Sequence, residues 1–421
     1  MPERFAISAG TVIPMNASPV TGGAVVVSDG LIERIVPRTE IPSGIHVEDF
    51  PDSILLPAFV NAHTHLVYSS FRGIADDADF FSWLTGNIIP LDLDRKEAEC
   101  LESARYGIRM CFENGITAIG ENHYLPWGRQ AMLESGMKGV YFYELFGVRT
   151  LNLAKSIENH RGQIEKLVQD STDRLRCGVA PHAPYSVPMS VARMARDVAE
   201  KHSLPISIHV AETHAEIDLF LRGEGPYAAV RRLVKLPVPD GRRTPLTYLD
   251  ECRLLGPRTL LIHGVHLSDS DLNIISERGC TLVTCPTSNA KLESGIARAG
   301  AWHRKGIPIC IATDSLASGD SFNLFEEMRR FVLFQRALSN EIDTFKAEDV
   351  LRMVTTNPAK ALGMSHLVGD LQDGSYADLM LVNPDRRSVS SNRDIYQTIL
   401  WGTTASDIQA VWADGREVYR R

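Results

Sequence analysis

Short apolar runs recur along most of the chain, and the polar stretches between them change character from its ends to its middle. At the start, Arg4 to Val12, Gly23 to Val36 and Ile45 to Phe50 are brief β-branched runs separated by turns, with a hairpin signal at Asp29-Gly30. The far end has the same texture in Gly374 to Val382 and Ile408 to Val418, again with an Asp-Gly pair at Asp414-Gly415. In between lie eight apolar runs: Ile54 to Asn61, Thr117 to Gly120, Gly139 to Phe146, Arg176 to Ala180, Pro205 to Val210, Thr259 to Val265, Thr281 to Thr284 and Pro308 to Thr313. Amphipathic stretches follow most of them, and their spacing predicts helices, as in Arg95 to Asn114, Ser190 to Lys201 and Phe322 to Arg336. Alternation of this kind predicts an α/β chain, a (β/α)8 TIM-type barrel, with a doubly wound open sheet as the alternative. The expected organisation is a small composite β-sandwich domain built from residues 1–57 and 367–421, flanking a barrel over residues 58–366.

A barrel carries its reactive groups where its strands end, so the residues closing each run are informative. The first run ends Asn61-Ala62-His63-Thr64-His65, and the period of two in a strand sends His63 and His65 to one side. The fifth ends His209-Val210-Ala211-Glu212, the sixth His263, and the eighth Thr313-Asp314. One such residue alone is ordinarily structural. Imidazoles and carboxylates converging from four strand ends are costly to bury without a shared partner, and a metal ion is the simplest one. His63, His65, His209 and Asp314 form an N3O set suited to one divalent ion, zinc by default, with iron or nickel as alternatives. Water on such an ion ionises at a pH of about 7 instead of about 15.7. Glu212 and His263 remain as proton-handling groups, a general acid/base and an orienting or electrophilic partner. His182 ends the fourth run and His123 the second, and both are candidate substrate contacts. His266 falls on the other side of its strand and reads as structural, while the remaining histidines lie in helical or surface contexts.

Composition narrows the partners. The 421 residues carry a net charge of −8 with no long basic run, which removes the cationic footprint that nucleic acid requires. The longest uncharged stretch, Phe5 to Ser28, is broken by Pro14, Asn16, Ser18, Pro19, Thr21, Gly22 and Gly23, and the start lacks a basic n-region, so strands are expected there and no membrane partner. Seven cysteines, an odd number set mostly in apolar runs, read as buried thiols in a reducing cytoplasm. No GxxxxGK[ST], strand-following GxGxxG or GxSxG occurs, and the HxE plus PCxxC pattern of cytidine-type zinc deaminases is missing. A small-molecule substrate is the expectation, and the oligomeric state stays open, a homo-oligomer included.

Several stretches together resemble the amidohydrolase superfamily: Pro57 to His65, Phe71 to Asp77, Ala180-Pro-His-Ala-Pro-Tyr185, His209-Val-Ala-Glu-Thr213, His263 to Leu267, Cys285-Pro-Thr-Ser-Asn289 and Ala312 to Ser318. The resemblance covers nearly the whole chain and is strongest to the branch holding chlorohydrolases, S-adenosylhomocysteine/methylthioadenosine deaminases, aminofutalosine deaminases, guanine deaminases and s-triazine hydrolases. It implies one metal held by His63, His65, His209 and Asp314, with no bridging carbamylated lysine. It also implies a hydrolase of carbon–nitrogen bonds other than peptide bonds. Hydroxide would add to a ring carbon bearing an amino group, Glu212 would protonate the neighbouring ring nitrogen, His263 and Asp314 would steady the developing charge, and ammonia would leave. The implied substrate is an adenosine-moiety nucleoside, the alternatives being a triazine chlorohydrolase or a guanine or pterin deaminase. Fifty-one positions separate Glu212 from His263, a long connection that looks more like the aminofutalosine deaminases and leaves open a lid within residues 213–262. Arg149, Arg231, Arg232, Arg242 and Arg243 could meet a substrate carboxylate, although an Arg pair in a loop is ordinarily solvated. Asn289 is a further candidate substrate contact.

Overall fold

A computed structural model of the protein describes residues 3–74, 76–147, 153–339, 341–384 and 394–421. Before the barrel come β1 (Arg4–Val12), β2 (Val20–Thr21), β3 (Gly23–Ser28), β4 (Leu31–Pro37) and β5 (His46–Pro57). The barrel strands are β6 (Phe59–Thr64), β7 (Ile116–His123), β8 (Lys138–Leu145), β9 (Leu175–Pro181), β10 (Ile206–Val210), β11 (Thr259–His263), β12 (Thr281–Thr284) and β13 (Ile309–Ile311). After it come β14 (Leu379–Val382), β15 (Ile408–Ala413) and β16 (Arg416–Arg420). The two chain ends meet in one sheet of order β16-β15-β14-β5-β1-β3-β4, with β2 on β1. Both Asp-Gly pairs close hairpins as their residue types demand: Asp29 and Gly30 have φ of 52° and 79°, and Asp414 and Gly415 have 50° and 68°.

β6 to β13 pair in chain order, and every pairing is parallel. All eight predicted runs are strands, but the first is two strands. Pro57 ends β5 opposite Leu379, then Ala58 N–H donates to Asp378 O (2.9 Å) and Phe59 N–H to Gly115 O (2.8 Å), so the chain passes from the terminal sheet into the barrel within one residue. Inside the barrel, Val60, Ala62, Val140, Phe142, Leu260, Ile262, Val283, Cys310 and Ala312 pack together. The alternate positions, such as Phe59, Tyr141, Ile208, Val210, Leu261 and Ile311, pack with the helices Glu97–Glu113, Met189–His202 and Leu324–Ser339. The seam between last and first strands is fastened by side chains: Asn61 Nδ2 donates to Thr313 Oγ1 (2.7 Å) and Thr313 N–H donates to Asn61 Oδ1 (3.2 Å).

The terminal sheet is riveted to the barrel floor by Lys138 at the start of β8. Its ammonium, fully buried, lies 2.9 Å from both Asp378 and Asp414, and Arg174 also pairs with Asp414. Lys138→Met should therefore destabilise the fold by about 3–5 kcal/mol, because Asp378 is left buried without its countercharge. Urea unfolding would measure this, and an unchanged midpoint would mean the rivet is dispensable. All seven cysteines are free and buried. Among the described residues no helix is long and apolar enough to cross a membrane.

Candidate metal centre and active site

Each reactive side chain reaches the barrel mouth by a departure from, or a continuation of, strand alternation. Val60 and Ala62 face the interior, so strict alternation would turn His63 and His65 outward. The register between β6 and β7 slips between Asn61 and Thr64, and that irregularity turns both imidazoles into the mouth. Glu121 holds the slipped segment, accepting from Thr64 Oγ1 (2.9 Å) and Leu66 N–H (2.9 Å). On β10 the outward set is Ile208 and Val210, so His209 points inward by simple alternation. On β11 Ile262 is interior, and a left-handed residue at His263 (φ 71°) swings its ring inward. Ala211 (φ 50°), just before Glu212, and Asp314 (φ 62°) are left-handed too. Non-glycine residues in this region cost about 1–3 kcal/mol each and concentrate where geometry serves a site.

The three imidazoles of His63, His65 and His209 have donor atoms within 4.8 Å of one another. Their far nitrogens are engaged from behind. His65 Nδ1 lies 2.8 Å from Asn122 O and His209 Nδ1 2.9 Å from His182 O, so each Nδ1–H donates to a carbonyl and leaves Nε2 as the acceptor. Asn122 Nδ2 stands 2.9 Å from His63 Nδ1 while its Oδ1 has no partner; turning that amide over gives His63 the same arrangement without moving a heavy atom. Asp314 Oδ2 accepts from Ser288 Oγ (2.7 Å) and Ser318 Oγ (2.8 Å). Its Oδ1 is left facing His63 Nε2 at 3.5 Å and His65 Nε2 at 3.7 Å. His63 Nε2 is buried without a hydrogen bond, an orphan that a cation would satisfy. Burial pushes the His63 imidazole down to about 4, and burial with the neighbouring imidazoles holds His209 well below its ordinary range, so both rings are neutral donors. Burial acts to raise the Asp314 carboxyl, but the imidazoles of His63, His65 and His263 gathered around it outweigh that and hold it well below its ordinary range. Three neutral nitrogens and one carboxylate fit a borderline divalent cation such as zinc.

Glu212 and His263 stand together beside this cluster, with Oε1 3.5 Å from Nε2. Burial first, then the charges of Asp314 and Glu216, push the Glu212 carboxyl well above its ordinary range. Its position is set by its backbone N–H, which donates to Glu216 Oε2 (3.1 Å), while Thr213 caps the following helix by accepting from Glu216 N–H. His263 Nδ1–H donates to Asn289 Oδ1 (2.8 Å), which leaves Nε2 as the free acceptor. Asn289 was expected at the substrate. It is buried behind His263 instead and does not line the cavity, its Oδ1 taken by the imidazole.

Above these groups opens a cavity of about 170 Å³. His65, His209, Glu212, His263 and Asp314 form its floor, and its walls are aromatic: Tyr68, Phe80, Phe81, Trp83, Phe146, Tyr185 and Tyr227. Much of the wall comes from residues 80–94, two short helices joined by a π turn at Leu84–Ile88, a stretch carrying no chemical motif. The long connection before β11 supplies Tyr227 and Val230 from the helix Pro226–Leu233, and Tyr227 stacks on Tyr185 at 4.1 Å and 13°. His182 lines the cavity, its Nδ1 2.8 Å from Ser186 Oγ. His123, the other candidate contact, is packed between Tyr124 and Tyr68 and does not line the cavity. Arg231 is neither solvated nor facing substrate: 5% exposed, it donates to Tyr185 O (2.9 Å) and Pro237 O (2.8 Å) and props the wall. Arg232, Arg242 and Arg243 stay outside the cavity, and Arg149 lies outside the described residues.

A model of the amidohydrolase family matches residues 54–418. The chain is 28% identical over 408 residues to a 5'-deoxyadenosine deaminase of Methanothermobacter thermautotrophicus, covering 96% of this chain and 91% of that one. It is 29% identical over 405 residues to a 5-methylthioadenosine/S-adenosylhomocysteine deaminase of Shouchella clausii, covering 93% and 88%. Its fold superposes on a zinc-bound adenosine deaminase from Xanthomonas campestris with a TM-score of 0.87 at 25% identity, covering 98% and 92%.

Proposed function

The chain belongs to the amidohydrolase family, and from that premise we propose that it is a metal-dependent hydrolytic deaminase, releasing the exocyclic amino group of an adenosine-type nucleoside as ammonia. The observation that carries this reading is Glu212, a buried carboxyl 3.5 Å from His263 and beside the N3O cluster, on the floor of an aromatic cavity. Its support in the relatives is that two act on nucleosides of this class by name.

Replacing a ring amino group by oxygen needs hydroxide at the ring carbon, a proton on the adjacent ring nitrogen and a second proton on the departing amine. His63, His65, His209 and Asp314 would hold a divalent ion, zinc by its donor set, which would supply hydroxide near neutral pH by lowering the pKa of water from about 15.7 to about 7. Glu212 gives its proton to the ring nitrogen, which makes the neighbouring carbon more electrophilic. His263, with Nδ1–H locked on Asn289, presents Nε2 to take a proton and return it to the amine. The flat base stacks between aromatic rings that exclude bulk water, and this strengthens every polar contact on the floor.

The deciding experiment is an ammonia-release screen of zinc-loaded protein across adenosine, 5'-deoxyadenosine, methylthioadenosine, S-adenosylhomocysteine, aminofutalosine, guanine, pterins and s-triazines. Ammonia from an adenosine-type nucleoside is the expected result. Chloride or alkylamine release from triazines with every nucleoside inert would overturn the reading. Asn289→Ala, which frees the His263 ring, should lower kcat about 10- to 100-fold with little change in KM and full metal content. A rise in KM alone would return Asn289 to the substrate.

A further inference from the structure

A second buried carboxyl faces the same cavity. Glu144, 2% exposed, lies near the end of β8, where Val140 and Phe142 point into the barrel and the period of two carries Glu144 to the same side at the mouth. A carboxylate oxygen of Glu144 and ring nitrogens of His182 and His209 lie within 4.8 Å of one another. They do not make a second metal centre: His209 Nδ1 is committed to the His182 carbonyl, and its one remaining lone pair belongs to the cluster with His63 and His65. The rings of His182, His209 and His263 run in a row, with centroids 4.9 Å and then 5.4 Å apart. His209 is therefore flanked by two acid and imidazole pairs, Glu212 with His263 on one side and Glu144 with His182 on the other.

We propose that Glu144 is a further substrate-contacting residue, whose carboxylate accepts a hydrogen bond from an N–H or O–H donor of the nucleoside and so holds it at a second edge. The inference rests on the deaminase reading above. A carboxylate is acceptor-only, so what lies over it must donate, and an adenosine-type nucleoside has two kinds of donor: the reacting amine and the sugar hydroxyls. A buried polar group that hydrogen-bonds its substrate rejects an analogue lacking the matching donor far more strongly than an apolar wall rejects a missing methylene, because that bond is lost where water cannot replace it.

The test compares wild type with Glu144→Gln, both zinc-loaded, on the parent nucleoside found in the screen, its 6-chloro analogue, and its 2'-deoxy and 3'-deoxy analogues. Glutamine keeps the shape and replaces half of the acceptor with a donor. On the parent, kcat/KM should fall about 10- to 100-fold, with thermal midpoint and metal content unchanged. On the analogue lacking the matched donor, the variant should come within about threefold of wild type, as the loss has already been taken. Insensitivity of the 6-chloro compound, read by chloride release, assigns the amine; insensitivity of a deoxy compound assigns that hydroxyl. Equal losses on all four substrates, or none on the parent, overturn the proposal. If the glutamine variant melts early, Glu144→Asp carries the same comparison. Wild-type ammonia release tests the deaminase reading by itself, and the variant ratios test Glu144.

Discussion

Glu212→Gln is expected to lower kcat about 10²- to 10⁴-fold while the protein keeps its fold and its metal. Glutamine fills the same space and can donate a hydrogen bond, but it has no proton to give to a ring nitrogen. The structure makes the substitution clean. Glu212 is held through its backbone N–H to Glu216, and that bond survives the change. The side chain is not one of the four groups that converge as candidate ligands, so metal content should stay at the wild-type level. Glutamine is neutral and nearly the same shape, so it adds no charge at this buried position and the melting temperature should move little. Steady-state ammonia release and elemental analysis of the purified variant decide it, and wild-type turnover would remove Glu212 from the reaction.

Stripping the metal should be costlier still. At neutral pH the ion is expected to provide hydroxide that no cavity residue can generate, because free water, at about 15.7, is far too weak an acid for a carboxylate or an imidazole to deprotonate. Activity should fall at least about 10⁴-fold on chelation and return with one equivalent of zinc, given the shift in water pKa from about 15.7 to about 7. Stability should fall as well. A ligand present at 1,000 times its Kd contributes about 4 kcal/mol to the folded state, and without it His63 Nε2 stays buried and unsatisfied. Calorimetry with and without zinc reads this as a shift of several degrees in Tm. Full turnover by metal-free protein would refute the role given to the four ligands.

What could be read from the residues divides along a physical line. Strand ends were legible, because an apolar run that stops at a histidine or an acid marks both the strand and its mouth-facing group; His209 followed simple alternation. His63, His65 and His263 were found at the right places for an incomplete reason. Alternation alone would have pointed them away from the interior, and a register slip and a left-handed residue bring them back. The aromatic wall over residues 80–94 was invisible, since a helix lining a cavity looks like a helix packed on a core. Glu144 was passed over because it lies inside an apolar run, two residues short of its end. Arg231 misled in the other direction: charge suggested solvent or substrate, and the guanidinium is spent on backbone carbonyls.

The seam of the barrel has one more implication. Asn61 and Thr313, 252 positions apart, close the ring, with His63 two residues past the one and Asp314 next to the other. The candidate metal would thus straddle the junction of first strand and last, a clasp on a bracelet. During synthesis the chain presents early two histidines separated by one residue, the third only with β10, and the carboxylate only after β13 has been made. The complete ligand set comes into being when the bracelet shuts. Choice of ion would thereby be deferred from a flexible nascent peptide, which would take whatever binds imidazole most tightly, to a finished cage whose shape can discriminate.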